Sequence, residues 1–229
     1  GGYPLNLKRL AAPFAIVACL ALTGATKRDW NGTVVRADGA HAIGNPAAPN
    51  TLTEFVSYTC PHCGDFARTG DEALKIAYIA PGKVRLEIRH IVRDPVDLTA
   101  ALLTWCGEPG KFPRNHAAIM HAQPRWLAAA RATTTTQRHR WATGDLPTRT
   151  RAIAADLGFY AIMEPRGYSR AALDRCLSDT AMATRLSENS SRDTARFNVE
   201  GTPSFAIDGK LLDDVHDWTT LQRRLGAPL

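Results

Sequence analysis

Cys60 and Cys63, in the run CPHC, are two soft nucleophiles three positions apart. Such a pair can hold a metal, cross-link a structure or exchange electrons with other thiols. A zinc site needs two further ligands, usually a second CxxC or a spaced histidine pair. Cys106 and Cys176 stand apart, His116 and His121 are five positions apart and His139 is alone, so nothing completes a metal site and none is expected. A purely structural bridge over so short a loop contributes little by chain entropy. Thiol exchange needs only that one sulfur ionise readily. A helix starting at Cys60 puts that sulfur among unsatisfied N–H groups at the positive end of the helix dipole. There a thiol's pKa falls below its free value of about 8.5. Pro61 suits the first helical position, where its missing N–H costs nothing, and His62 can add a hydrogen bond or positive charge. Stabilising the thiolate makes the oxidised pair the stronger oxidant.

The flanking sequence supplies elements to carry this pair. TLTEFVSY, residues 51–58, is β-rich and uninterrupted, the profile of a buried strand. A helix is predicted from Cys60 to about Ile79, stopped by Pro81-Gly82. In KVRLEIRHIV, Val84, Leu86 and Ile88 alternate with Arg85, Glu87 and Arg89, a second strand. Residues 27–50 read as a polar lead-in with an edge strand at Val34-Val35. Near the C-terminus PSFAIDGKLL reads as a hairpin about Asp208-Gly209. Trp218, Leu221 and Leu225 then recur at helical spacing. Between these halves an Ala- and Arg-rich stretch, roughly 93–189, is punctuated by Pro and Gly into short helices. Its ATTTTQRHRWATGDLP segment reads as a loop or helix junction, and Trp105, Trp126 and Trp141 as core residues. His90 reads as a satisfied core or edge histidine.

With EFVSYTCPHCGDF and, some 140 residues later, GTPSFAIDGK, the chain resembles the DsbA-like thiol–disulfide oxidoreductases of the thioredoxin-fold superfamily. The resemblance implies an α/β thioredoxin fold, residues 26–92 and 190–229, interrupted by an all-helical insertion at 93–189. It implies that Cys60 and Cys63 form a redox-active disulfide and that Thr202-Pro203 is a cis-proline loop contacting bound peptide. Glu54 is either a strand-end carboxylate reaching water or, as the resemblance implies, a buried acid that relays the Cys63 proton; the relay is the favoured reading. Cys106 and Cys176 are either packed free thiols or a structural disulfide, which an oxidising compartment favours. Such a bridge closes a loop of roughly 70 residues, worth up to about 4 kcal/mol. The activity implied is introduction of disulfides into reduced or unfolded exported proteins without a cofactor, with re-oxidation by a membrane partner of the DsbB type. Thr202 is common among reductase and isomerase relatives, which keeps that direction as the alternative. A peptide-binding chaperone with an inactive CxxC is a further one.

At 229 residues the chain has room for one good-sized domain, read as a monomer. Lys8 and Arg9, the apolar run Leu10 to Leu22 and the small residues Thr23-Gly24-Ala25 read as a secretory signal over residues 1–25. Export to the periplasm follows. Cys19, preceded by Ile16-Val17-Ala18, offers an alternative lipid anchor. The net charge of +6 falls to +4 without residues 1–25, since Lys8 and Arg9 are the only charges there. The basic residues are scattered, which argues against nucleic acid as a partner.

Overall fold

The computed structural model describes residues 1–2 and 28–226, so the apolar leader and Cys19 lie outside the described residues. Strand β3 (Asn50–Val56) is central, paired in parallel with β4 (Val84–His90) and antiparallel with β5 (Ser204–Ile207). Flanked on both edges and covered on both faces, β3 is buried continuously from Leu52 to Val56, which is why its sequence is not alternating. The hairpin β1 (Val34–Ala37) and β2 (Ala40–Ile43) adds to the far edge of β4, and β6 (Lys210–Leu211) to that of β5. The sheet order is β1-β2-β4-β3-β5-β6. The expected edge strand at Val34-Val35 is β1. Its partner β2 was not anticipated: in AHAI every side chain is buried, but short alanines and a histidine carry no apolar period.

The helix expected over 60–79 is not continuous. It runs as α1 (Pro61–Thr69), breaks at Gly70, resumes as α2 (Asp71–Leu74) and widens into a π-helical turn at Lys75–Ile79. At Gly70 a Cβ would lie 3.0 Å from the Trp218 Cβ and from the Phe66 ring. The insertion's first helix, α3 (Pro95–Thr104), follows β4, and the chain continues through α4 (Phe112–His121), α5 (Gln123–Arg131), α6 (Thr135–Ala142) and α7 (Leu146–Asp156). Helices α8 (Phe159–Met163), α9 (Arg170–Leu177) and α10 (Thr180–Phe197) complete the excursion, and α11 (Trp218–Gly226) closes the fold.

Three expectations about the insertion change. Its last helix does not stop at 189: α10 runs on to Phe197 and returns to the sheet, where Ser190 Oγ accepts from the Val92 N–H at 2.9 Å. The same helix brings Asp193 to within 3.1 Å of the buried Arg89 guanidinium. ATTTTQRHRWATGDLP is not simply a loop, because Thr134 and Gln137 form a reciprocal capping box that starts α6. Trp105 and Trp126 are core residues, whereas Trp141 is only half-buried. Cys106 and Cys176 are joined, with Cα atoms 5.7 Å apart. The bridge ties the segment after α3 to α9.

Candidate active site

Cys60 is the N-cap of α1, with extended backbone at φ −87° and ψ 115°, and Pro61 occupies the first helical turn. Cys63 and Gly64 donate their N–H groups to the Cys60 carbonyl at 3.1 and 3.3 Å. Both cysteines are free thiols here, the reduced form of the pair. They are held very differently. Cys60 lines a cavity of about 480 Å³ with Pro61, His62, Ile91 and Thr202. Its pKa is lowered to about 5, chiefly by the Cys63 thiol, then by Thr202 and the N–H groups of Cys63 and His62, against the opposing effect of burial. Cys63 has no exposed surface, and burial with the hydrogen bond to Cys60 pushes its thiol well above the usual value. One sulfur, at the edge of a cavity though its residue is only 4% exposed, therefore favours the thiolate, and the other is a shielded thiol.

The Thr202–Pro203 bond is cis, and the Cys60 thiol lies 3.0 Å from the Thr202 carbonyl oxygen. The loop is fixed from both sides. Ser204 Oγ donates to the Gly201 carbonyl at 2.7 Å, and the His216 ring lies 2.8 Å from the Pro203 carbonyl through Nδ1. The Thr202 hydroxyl is buried without a partner among the described residues. Of the two sulfurs, Cys60 is the one whose thiolate this side chain favours. His62 contributes through its backbone: its side chain is exposed and makes no hydrogen bond among the described residues.

Glu54, in β3, is 2% exposed, and its Oε2 has no hydrogen-bond partner among the described residues. The reading as a solvent-reaching carboxylate is thus excluded. Burial, then the nearby Asp71 carboxylate, raises its pKa well above the usual carboxylate range, while Lys75 opposes. Its charge in turn raises Cys63, so the two groups sense each other. Asp71 itself is lifted to about 6, by burial first. Lys75, half-buried at the start of the π-helical turn, is near enough for its charge to oppose both rises.

Residues from the insertion complete the site, and the sequence did not point to them. Asp94 caps α3 through the Val96 and Asp97 N–H groups and accepts the Thr59 hydroxyl at 2.8 Å. Asp97, 1% exposed, accepts from the Ser57 hydroxyl at 2.5 Å, the Tyr58 N–H at 2.8 Å and the Arg93 N–H at 3.1 Å. The Ser57 N–H in turn points at Cys63 Sγ, 3.5 Å away. Burial raises Asp97 to about 7 despite these donors. Gln123, buried at the start of α5, donates from Nε2 to the carbonyls of Tyr58 at 2.7 Å and Cys60 at 2.8 Å. The DPVD run does signal a capped helix start, but nothing in it says that the Asp97 carboxylate turns back to the segment between β3 and α1.

The histidines outside CPHC take structural places. His90 and His116 pack around Tyr58, whose hydroxyl is 2.8 Å from His116 Nδ1. Burial lowers His90 to about 3, so it is neutral; it is a core residue, but neither ring nitrogen has a hydrogen-bond partner among the described residues, so it is not the satisfied core histidine expected. No group of three or more His, Cys, Asp or Glu with metal-binding geometry occurs among the described residues. No helix among them is long and apolar enough to cross a membrane.

Comparison with known proteins agrees with this layout. Residues 36–227 match the family described as Thioredoxin. A crystal structure of a protein-disulfide isomerase from Novosphingobium aromaticivorans is 48% identical, covers 84% of this chain and 98% of its own, and superposes with a TM-score of 0.80. The α-DsbA1 of Wolbachia pipientis, at 19% identity, shares the fold over 84% of this chain and 92% of its own with a TM-score of 0.66. A Rickettsia typhi protein that carries the name protein-disulfide oxidoreductase is 26% identical over 73% of this chain. The match takes in 54% of that relative, so the chain spans about half the length of the curated relatives it matches. The chain belongs to the family described as Thioredoxin, whose model it matches over residues 36–227.

Proposed function

We propose that this protein is an exported thiol oxidase that introduces disulfides into reduced proteins of the periplasm. The observation that carries the reading is the asymmetry of the two sulfurs, with Cys60 lowered to about 5 and Cys63 raised. In the oxidised form a substrate thiolate attacks Cys60 Sγ, the Cys60–Cys63 bond breaks, and Cys63 leaves with the electron pair. Cys63 then needs a proton. Glu54, whose burial raises its proton affinity well above that of an ordinary carboxylate, supplies it. A second substrate thiolate attacks the substrate sulfur of the mixed disulfide and expels Cys60 as a stabilised thiolate. Two electrons pass from substrate to the pair, leaving the dithiol seen here. The Thr202-Pro203 loop lies where the mixed disulfide must form and holds the substrate backbone there. Re-oxidation requires an electron acceptor, for which the reading takes a membrane partner of the DsbB type.

Equilibration with glutathione buffers tests the direction. A reduction potential near that of DsbA, about −120 mV, is the expected result, because a stabilised thiolate favours the reduced form. A value near that of thioredoxin, about −270 mV, would overturn the oxidase reading. The alternative, a reductase or isomerase, is favoured by Thr202 and by the name of the 48% identical relative. A chaperone role independent of exchange is tested by Cys60→Ser, which on that reading keeps full biological activity.

A further inference from the structure

Beside the dithiol lies a second cavity, of about 530 Å³, that the exchange chemistry does not use. It is built almost wholly by the insertion, between the start of α3 and helices α5, α6 and α7. Its apolar lining comes from Val96, Leu127, Ala130 and Trp141, which explains why Trp141 is not closed into the core. Three arginines, Arg131, Arg138 and Arg149, share the lining. None of the three forms a salt bridge among the described residues, although eight such pairs occur there. The Nε of Arg149 is buried with no hydrogen-bond partner. The one carboxylate in the lining, Asp94, is already engaged by Thr59 and by the first N–H groups of α3. Arg138 bonds only to neutral groups, the Thr133 carbonyl and the Thr135 hydroxyl. An apolar pocket with three guanidinium groups that lack a carboxylate partner is complementary to an apolar side chain next to a carboxylate.

Its position says what should bring that group. Thr59 and Asp94 line this cavity, whereas their chain neighbours Cys60 and Arg93 line the cavity at the reactive sulfur. The two spaces therefore lie on either side of one narrow ridge. An extended polypeptide advances about 3.3 Å per residue, so a chain held by its cysteine at Cys60 crosses that ridge within a few residues. We propose that this cavity binds an acidic, apolar segment of the polypeptide undergoing thiol exchange, a short distance from its reactive cysteine, and that it sets preference among substrates. A second copy of this chain is a poorer occupant, since the chain carries a net charge of +6. The inference rests on Cys60 as the centre of thiol exchange but not on the direction of electron flow.

The test compares two peptides of equal length, each with one cysteine and a nearby Leu, one bearing two Asp and the other two Lys. The readout is the ratio of the rate constants for forming the mixed disulfide at Cys60, with the cysteines offered as thiols or as activated disulfides to suit either direction. The expected ratio favours the acidic peptide about tenfold and shrinks as salt screens the charges. In the doubly substituted Arg131→Glu, Arg138→Glu protein, both changed residues being exposed, the preference reverses towards the Lys peptide. Replacing Leu by Ser in the acidic peptide lowers its rate on the unsubstituted protein, and Trp141→Ala removes most of that difference. A ratio near one, or one that the charge reversal leaves unmoved, overturns the proposal. Failure of the oxidase reading would appear in the glutathione potential instead and leave the ratio as it is.

Discussion

The sheet and the helical insertion each send a buried carboxyl group towards the same pair of cysteines, and the two are treated in opposite ways. Glu54, on the central strand, is left with an oxygen that has no partner. Asp97, from the first turn of α3, is surrounded by donors from Ser57, Tyr58 and Arg93. A buried acid without partners is kept neutral by desolvation and can give up a proton when a nearby sulfur becomes negative. A carboxyl that holds three donors has its geometry fixed and is suited to positioning. The central strand and the helix that follows it thus carry the reacting groups, and the insertion fixes the chain segment between them.

The largest effect should come from cutting the insertion's own restraint. Replacing Cys106 and Cys176 together by Ala reopens a loop with a sequence separation of 70, lowering stability by about 4 kcal/mol in the chain-entropy account. If the division of labour is right, the potential of the Cys60–Cys63 pair should move by less than about 30 mV, a tenfold change in its equilibrium. Denaturant unfolding and glutathione equilibration on one variant separate the two quantities. A large shift in potential would mean that the staple tunes the dithiol and that the comparison is drawn in the wrong place.

Asp97→Ala removes the positioning side. Two backbone N–H groups and a hydroxyl lose their buried acceptor, and at roughly 1–3 kcal/mol for an unsatisfied group the loss should reach about 2–4 kcal/mol. Asp97→Asn gives the sign of the charge. A carboxyl raised to about 7 in the folded protein binds its proton more tightly there than in the unfolded chain. Its contribution is fully present below about pH 4 and is lost as pH rises through 7. The stability of the parent protein should therefore decline over that window more steeply than that of the Asn variant. Equal slopes would mean that Asp97 is not raised.

Glu54→Gln tests the reacting side. Gln cannot deliver a proton, so reduction of the oxidised protein by a substrate thiol should slow by about 100-fold. The pH dependence belonging to Glu54 should vanish from the rate, while folding stability near neutral pH holds or rises. Stopped-flow reduction across pH reads both. A loss of stability with an unchanged rate profile would exchange the roles assigned to Glu54 and Asp97.

Legibility in the sequence divides along the same line. The strand TLTEFVSY, the alternation in β4, the Asp208-Gly209 hairpin and the closing helix could all be read, because period and turn chemistry are local properties. CPHC and Thr202-Pro203 could be read for the same reason, each being a short run with its own mechanism. Asp97 and Gln123 could not. Their roles depend on where a distant helix comes to rest, since Asp97 meets Ser57 across 40 positions and Gln123 meets Tyr58 across 65. Glu54 lay between these cases: an acid in an apolar strand is visible, but its lack of a partner is a property of the packed state. The break at Gly70 and the pocket lined by Trp141 likewise follow from packing between distant elements.

The smallest predicted effect is the sharpest, because it is a change of sign. Gly64 lies inside α1, where an added Cβ would collide with Gln123 Oε1. In the parent protein Gly64→Ala must push that amide aside, costing the hydrogen bonds to Tyr58 and Cys60. The loss, about 1–3 kcal/mol if the Tyr58 carbonyl is left without a donor, outweighs the helix propensity that Ala gains over Gly, about 1 kcal/mol. In a Gln123→Ala background there is nothing to displace, and the nearby Arg68 guanidinium is the end of a flexible side chain. There the same substitution should stabilise by up to about 1 kcal/mol. A double-mutant cycle read by denaturant unfolding gives the coupling directly. Additive effects would mean that Gln123 does not clamp the start of α1 and that the dithiol keeps its geometry without the insertion's help.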